Sequence, residues 1–256
     1  NGGVATLSAI EAEAENAVRI GGVAGFHLMK LHAHALREKG ERRKAKLIMK
    51  QAVKWLEDEK RMERWVYEAC NGLRSLIKLH ILDGDSNTAK NYLKKIETLV
   101  GMYESAHANF ELAAARILMN AGPEESKLVD EDLKTLEMMK TYAQSMDSPY
   151  EWAVCLEWEY LLNISRDGVT AESIEKGRKA YEKFETLGLK SDVAFGFNNL
   201  AFDWIELEEF EKARKLLEKA EKMSDDYCFM NLKPFIELNL GKIAARTDEL
   251  ELAENH

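Results

Sequence analysis

Residues 194–223 read AFGFNNLAFDWIELEEFEKARKLLEKAEKM, and the spacing of large and small side chains in this stretch decides the fold. Phe197, Leu200, Ala201 and Trp204 recur three, one and three residues apart, which lines them up on one side of a helix. Phe210, Ala213, Leu217 and Ala220 form a second stripe, with alanines where two helices would approach closely. Glu206 to Glu208 remain as a short turn between them, so the stretch predicts a helical hairpin.

The same unit recurs along the chain. A leading helix is expected over residues 7–20, closed by Gly21-Gly22. Hairpins follow over 24–39 with 41–58, 61–82 with 86–100, and 104–120 with 126–146. Their stops are Gly40, Asp83-Gly84-Asp85 and Ala121-Gly122-Pro123. Ser148-Pro149-Tyr150-Glu151 has a serine cap, a first-turn proline and a glutamate, and opens the helix that carries Trp152, Leu156 and Tyr160. Thr170 caps its partner, where Gly177, Tyr181 and Phe184 face inward, and Pro234 opens the final pair. Second-helix anchors fall at Ala45, Ala89, Asp132, Gly177, Ala213 and Ala253, at spacings of 44, 43, 45, 36 and 40 residues. Asp132 is out of character in that series, because a small residue is expected there.

Composition agrees. Hydrophobic residues make up 46% of the 256, charged residues 32%, and there are only 3 prolines, which suits many solvated helix faces with few breaks and an all-helical chain. A net charge of -9 argues against direct nucleic-acid binding. The 3 cysteines, at 70, 155 and 228, are odd in number and far apart, so buried free thiols are expected rather than a disulfide framework or a zinc site. With no apolar run of about 18 residues and no charged-then-apolar leader, the reading is a cytoplasmic chain that does not enter a membrane.

The stretch 194–223 resembles the tetratricopeptide repeat (TPR). Leu200-Ala201 stands for that family's Leu-Gly pair and Trp204 for its aromatic. Ala213 and Ala220 take the small places of helix B, and Asp225 sits near the usual proline. Leu240-Gly241 repeats the pair. The resemblance implies an all-α, right-handed superhelical solenoid of antiparallel hairpins over 1–256: a leading helix, about five complete hairpins and a truncated last repeat. Neither end carries a polar capping helix, so the chain is expected to belong to a longer protein, with self-association through its uncapped ends.

In such a solenoid helix A lines the hollow, and its outward residues hold the partner. The resemblance places His27, Lys30, Leu31 and His34 there in the first complete repeat, then Asn71, Arg74, Ser75 and Lys78 in the second. No acid occurs among these eight, so Lys30, Arg74 and Lys78, with Asn71 and Ser75 as donors, would suit an acidic peptide. Only part of the family's carboxylate clamp is present, since His34 and Ser75 stand where asparagines are usual. Farther along, Glu151, Val154, Cys155 and Trp158 would line the hollow, followed by Phe195, Asn198, Asn199 and Phe202, then Phe235, Leu238, Asn239 and Lys242. Asn199 and Asn239 match the family's asparagine that bonds a ligand's backbone. The aromatics are either pockets for that ligand or core.

Catalysis has no visible foothold. His27, His32 and His34 lack the spacing of metal ligands, and His32 falls in the core stripe. Gly241-Lys242 lies within a helix and lacks a phosphate loop's preceding glycine. Glu157 and Glu159 point to different sides of their helix. The expectation is therefore a scaffold without cofactor or metal that binds a protein or peptide. The alternative is a ligand-sensing segment of a larger transcription regulator or signalling ATPase, because similar long-period repeats serve there.

Overall fold

The structure, a computed structural model, describes residues 22–57, 62–120 and 129–247. Among the described residues there are helices and no strands. They fall into two compact units that divide between Ser148 and Pro149. The expected leading helix, the stop at Ala121-Gly122-Pro123 and the anchor Ala253 lie outside what is described.

The first unit holds α1 (Gly22–Glu38), α2 (Arg42–Glu57), α3 (Met62–Leu82), α4 (Ser86–Met102), α5 (Ala106–Asn120) and α6 (Val129–Ser145). α1 packs on α2, α3 on α4 and α5 on α6, while α3 also packs on α1, α2 and α5. Each odd-numbered helix thus behaves as a helix A and sits against its hairpin partner and its neighbouring A helices. The predicted small anchors Ala45 and Ala89 are fully buried, and they join Met49, Leu73, Leu76, Ile77 and Ile96 in one core. The turn after α3 shows how its stop works. Gly84 takes φ 74 and donates to the Ile81 carbonyl, Asp85 N–H donates to the His80 carbonyl, and the Asp85 carboxylate then accepts from Thr88 N–H at 3.1 Å to cap α4. Asp132 is buried at the place expected for a small residue and accepts a 2.7 Å hydrogen bond from Asn120 Nδ2. A polar pair therefore holds α5 to α6 where the other described hairpins use an alanine or a glycine.

The second unit holds α7 (Pro149–Asp167), α8 (Ala171–Thr186), α9 (Lys190–Glu206), α10 (Phe210–Tyr227) and α11 (Lys233–Arg246). α9 packs between α8 and α10 and also against α11. Leu200, Ala201, Ala213, Leu217 and Ala220 are buried as their stripes predict. Phe197, Trp204 and Phe210 are only partly buried. α10 runs past Met223, so Asp225, at the family's proline place, lies inside it. Cys228 at φ 60 closes the helix by donating to the Ser224 carbonyl. Thr170 caps α8 in a reciprocal pair: Thr170 Oγ1 accepts from Ser173 N–H at 3.1 Å, and Ser173 Oγ accepts from Thr170 N–H at 3.0 Å.

Candidate binding surfaces

On the A-helix face of the first unit, His27 and Lys78 are exposed while Lys30 and Arg74 are half-buried. His34, with 49% of its side chain exposed, stands 3.8 Å from the Glu38 carboxylate. Crowding by protein atoms holds His34 below its ordinary range, followed by the Arg37 charge, with Lys78 and Lys30 adding and Glu38 opposing. α1 and α3 therefore bring their cations into one field, as the sequence pattern indicates.

That field contains an acid from a third helix. Glu111 of α5 is 1% exposed, and it accepts from Asn71 Nδ2 at 2.7 Å and from Arg74 Nε. Ser75 Oγ donates to the Asn71 carbonyl at 3.0 Å. Three of the five groups assigned to an acidic guest thus hold one another and Glu111 together. Glu111 lies 40 residues after Asn71, about one repeat later, so aligning α5 on α3 is the signal that finds it. Burial, with the Glu111 charge adding, pushes the neighbouring thiol of Cys70 up to about 12 and keeps it protonated.

In the second unit the expected lining divides. Glu151, Val154 and Cys155 of α7 are buried, and Trp158 is half-buried. The asparagines are engaged with other side chains: Asn239 Nδ2 donates to Asn198 Oδ1 at 3.0 Å, with both residues buried, and Asn199 Nδ2 donates to Tyr181 Oη at 3.3 Å. Below them, Tyr160 Oη donates to the Asp203 carboxylate. Burial pushes Asp203 up to about 6 against the pull of that hydrogen bond, with Glu206 adding. Burial raises both tyrosine hydroxyls. Their rings lie against glycine backbone, since a Cβ at Gly196 would stand 2.3 Å from Tyr181 Cδ1 and one at Gly177 would stand 2.9 Å from Tyr160 Cδ2. Pairs 41 and 43 residues apart, Asn198 with Asn239 and Tyr160 with Asp203, thus tie consecutive A helices together.

Above this polar layer, apolar side chains reach solvent. Phe202 is 36% exposed, Phe235 46% and Leu238 56%. Phe195 and Phe235 meet edge to face at 6.5 Å, and the Lys242 ammonium stands 4.2 Å over the Phe202 ring. The α9 and α11 rows meet along one strip, with Phe195 and Phe235 held by each other, Phe202 by Lys242, and the helices joined by buried amides. Large apolar side chains held rigidly at a surface can bind a partner with little loss of side-chain entropy.

Among the described residues, no group of three or more His, Cys, Asp or Glu could hold a metal ion. No described helix is long and apolar enough to cross a membrane. No protein-family model matches the chain, and no curated protein does. Among solved structures, the chain is similar to a Signal Transduction ATPase with Numerous Domains (STAND) protein with a tetratricopeptide repeat sensor, from Pyrococcus horikoshii, at 16% identity and a TM-score of 0.53. The match covers 94% of this chain but 37% of that one, so the chain spans little more than a third of that protein's length. At this identity the likeness shows the fold, an all-α repeat of packed helical hairpins.

Proposed function

We propose that this chain is a non-catalytic TPR-type module, cytoplasmic, that holds a protein or peptide segment on the A-helix face of its second unit. The observation that carries this reading is the strip of Phe202, Phe235 and Leu238, exposed beside the half-buried Phe195, with Phe235 held by the Phe195 ring, Phe202 by Lys242, and the helices beneath joined by the buried Asn198–Asn239 pair. A segment laid along it would bury apolar side chains among the rings, with Lys242 at the rim for a carboxylate or carbonyl. The first unit's face is secondary in this account, because Glu111 already occupies Asn71 and Arg74.

The test is selection of peptides from a random display library on the whole chain, followed by affinity measurement on variants. Enriched peptides should lose about tenfold or more in affinity to Phe235→Ala and to Leu238→Glu, as expected for central apolar contacts. Enriched peptides that bind both variants as tightly as the wild type would refute the assignment.

A second reading is favoured by the likeness to a TPR sensor: this segment reports a ligand to the rest of a larger regulatory protein. The two readings separate in the parent protein. A sensor changes the parent's self-association when the guest binds, and a plain scaffold does not.

A further inference from the structure

The second unit has another cavity, on the side of α9 that faces α8 and α10. It is a groove of about 440 Å³. Its floor is Val193, Phe197, Leu200 and Trp204, spaced four, three and four along α9; Val193 and Leu200 are buried, and Phe197 and Trp204 reach solvent between the neighbouring helices. Ile174 and Tyr181 of α8 and Leu216 of α10 extend the apolar surface. Phe197 and Trp204, which the sequence pattern assigns to the core, are only half-buried for this reason.

The walls carry opposite charge. From α8 come Glu175, Glu182 and Glu185. Arg178 stands among them, clasped by Glu175 at 2.6 and 2.7 Å and by Glu182, so this wall carries three carboxylates and one guanidinium that is bonded to two of them. From α10 comes Lys219, 5.6 Å over the Phe197 ring, and Lys212 stands 4.3 Å over the Trp204 ring. Lys219 thus lines the edge opposite the acids, seated on Phe197, while Lys212 stands just beyond it over Trp204 and pairs with Glu209 at 3.2 Å. The lining from Ala171 to Glu185 follows α8 for about 20 Å, or about four helical turns.

The geometry points to an amphipathic helix of a partner protein as the occupant of this groove. Its apolar stripe meets Phe197 and Trp204, its basic flank faces the α8 glutamates, and its acidic flank faces Lys212 and Lys219. A groove whose α8 wall runs about four turns and whose floor runs about three, between walls of opposite sign, is complementary to such a helix and to no single-sign ligand. This surface is separate from the strip proposed above and does not depend on it.

The test uses the whole chain and three fluorescein-labelled peptides of about fourteen residues. All share one leucine stripe, and their flanks are mixed lysine and glutamate, all lysine, or all glutamate. A mixed-flank helix can satisfy both walls in one of its two directions, so fluorescence anisotropy should show it binding about tenfold tighter than either single-sign peptide. The double variant Lys212→Glu/Lys219→Glu makes both walls acidic and should move the preference to the all-lysine peptide, while Leu238→Glu on the other face should change nothing. Equal affinities for the three peptides, or a preference the double variant does not move, would overturn the proposal. So would binding of 1-anilinonaphthalene-8-sulfonate at Trp204 with no binding of any peptide.

Discussion

Replacing Asp203 with asparagine should stabilise the second unit near neutral pH, by an amount that depends on pH in a defined way. Asp203 is 3% exposed, and its carboxyl is raised from 3.8 to about 6, first by burial and then by Glu206, with the Tyr160 hydroxyl pulling the other way. A raised acid binds its proton more tightly in the folded chain than in the unfolded one. Stability is therefore greatest below the unfolded value, falls as pH rises between 3.8 and about 6, and stays lowered above that window. A gap of about two pH units corresponds to roughly 3 kcal/mol, with each unit worth about 1.4 kcal/mol. Asparagine keeps an oxygen for Tyr160 Oη and carries no charge, so Asp203→Asn removes the loss. Urea unfolding followed by tryptophan fluorescence at several pH values, in a Trp55→Phe/Trp65→Phe background so that only Trp152, Trp158 and Trp204 of the second unit report, measures it. The variant's advantage should be near zero at about pH 4 and grow to about 2–3 kcal/mol at pH 7. An advantage that does not change with pH would refute the reasoning, because the buried charge would then not be the cause.

Gly196→Ala should destabilise the chain by about 2 kcal/mol: its Cβ would meet Tyr181 Cδ1 at 2.3 Å, and overpacking of that kind outweighs the roughly 1 kcal/mol that alanine gains in a helix. Thermal unfolding by circular dichroism checks it. Glu111→Ala should cost about 3 kcal/mol in the first unit, since it leaves Arg74 half-buried without that carboxylate and Asn71 without an acceptor for its amide; urea denaturation followed by far-ultraviolet circular dichroism measures the loss. Thr170→Val should cost about 1 kcal/mol by removing the acceptor for Ser173 N–H, with faster amide exchange confined to the first turn of α8.

The hairpins were legible because their signals are local. Gly40, Gly84 and Gly188 stop helices at positive φ, Thr170 and Pro149 start them, and alanines at Ala45, Ala89 and Ala213 mark close approaches. Legibility fell where partners lie a full repeat apart. Glu111 belongs to the hairpin whose register Asp132 obscures, so the acid beside Arg74 went unseen although its spacing from Asn71 follows the period. Periodicity also cannot separate a core stripe from the floor of a groove, since both place apolar residues on one helix face. Phe197 and Trp204 have core spacing and still reach solvent, because α8 and α10 stand to either side of them. The asparagines illustrate the same limit: Asn199 and Asn239 sit where a ligand's backbone would be bonded, yet Asn199 donates to Tyr181 and Asn239 to Asn198.

The most direct measurement of the binding account is photo-crosslinking in source cells, with a benzophenone amino acid replacing Leu238 in the protein that contains this chain. The account predicts one crosslinked segment of a partner, lost when Phe235→Ala is added. A probe that captures nothing, or captures the same segment with or without Phe235, would contradict it.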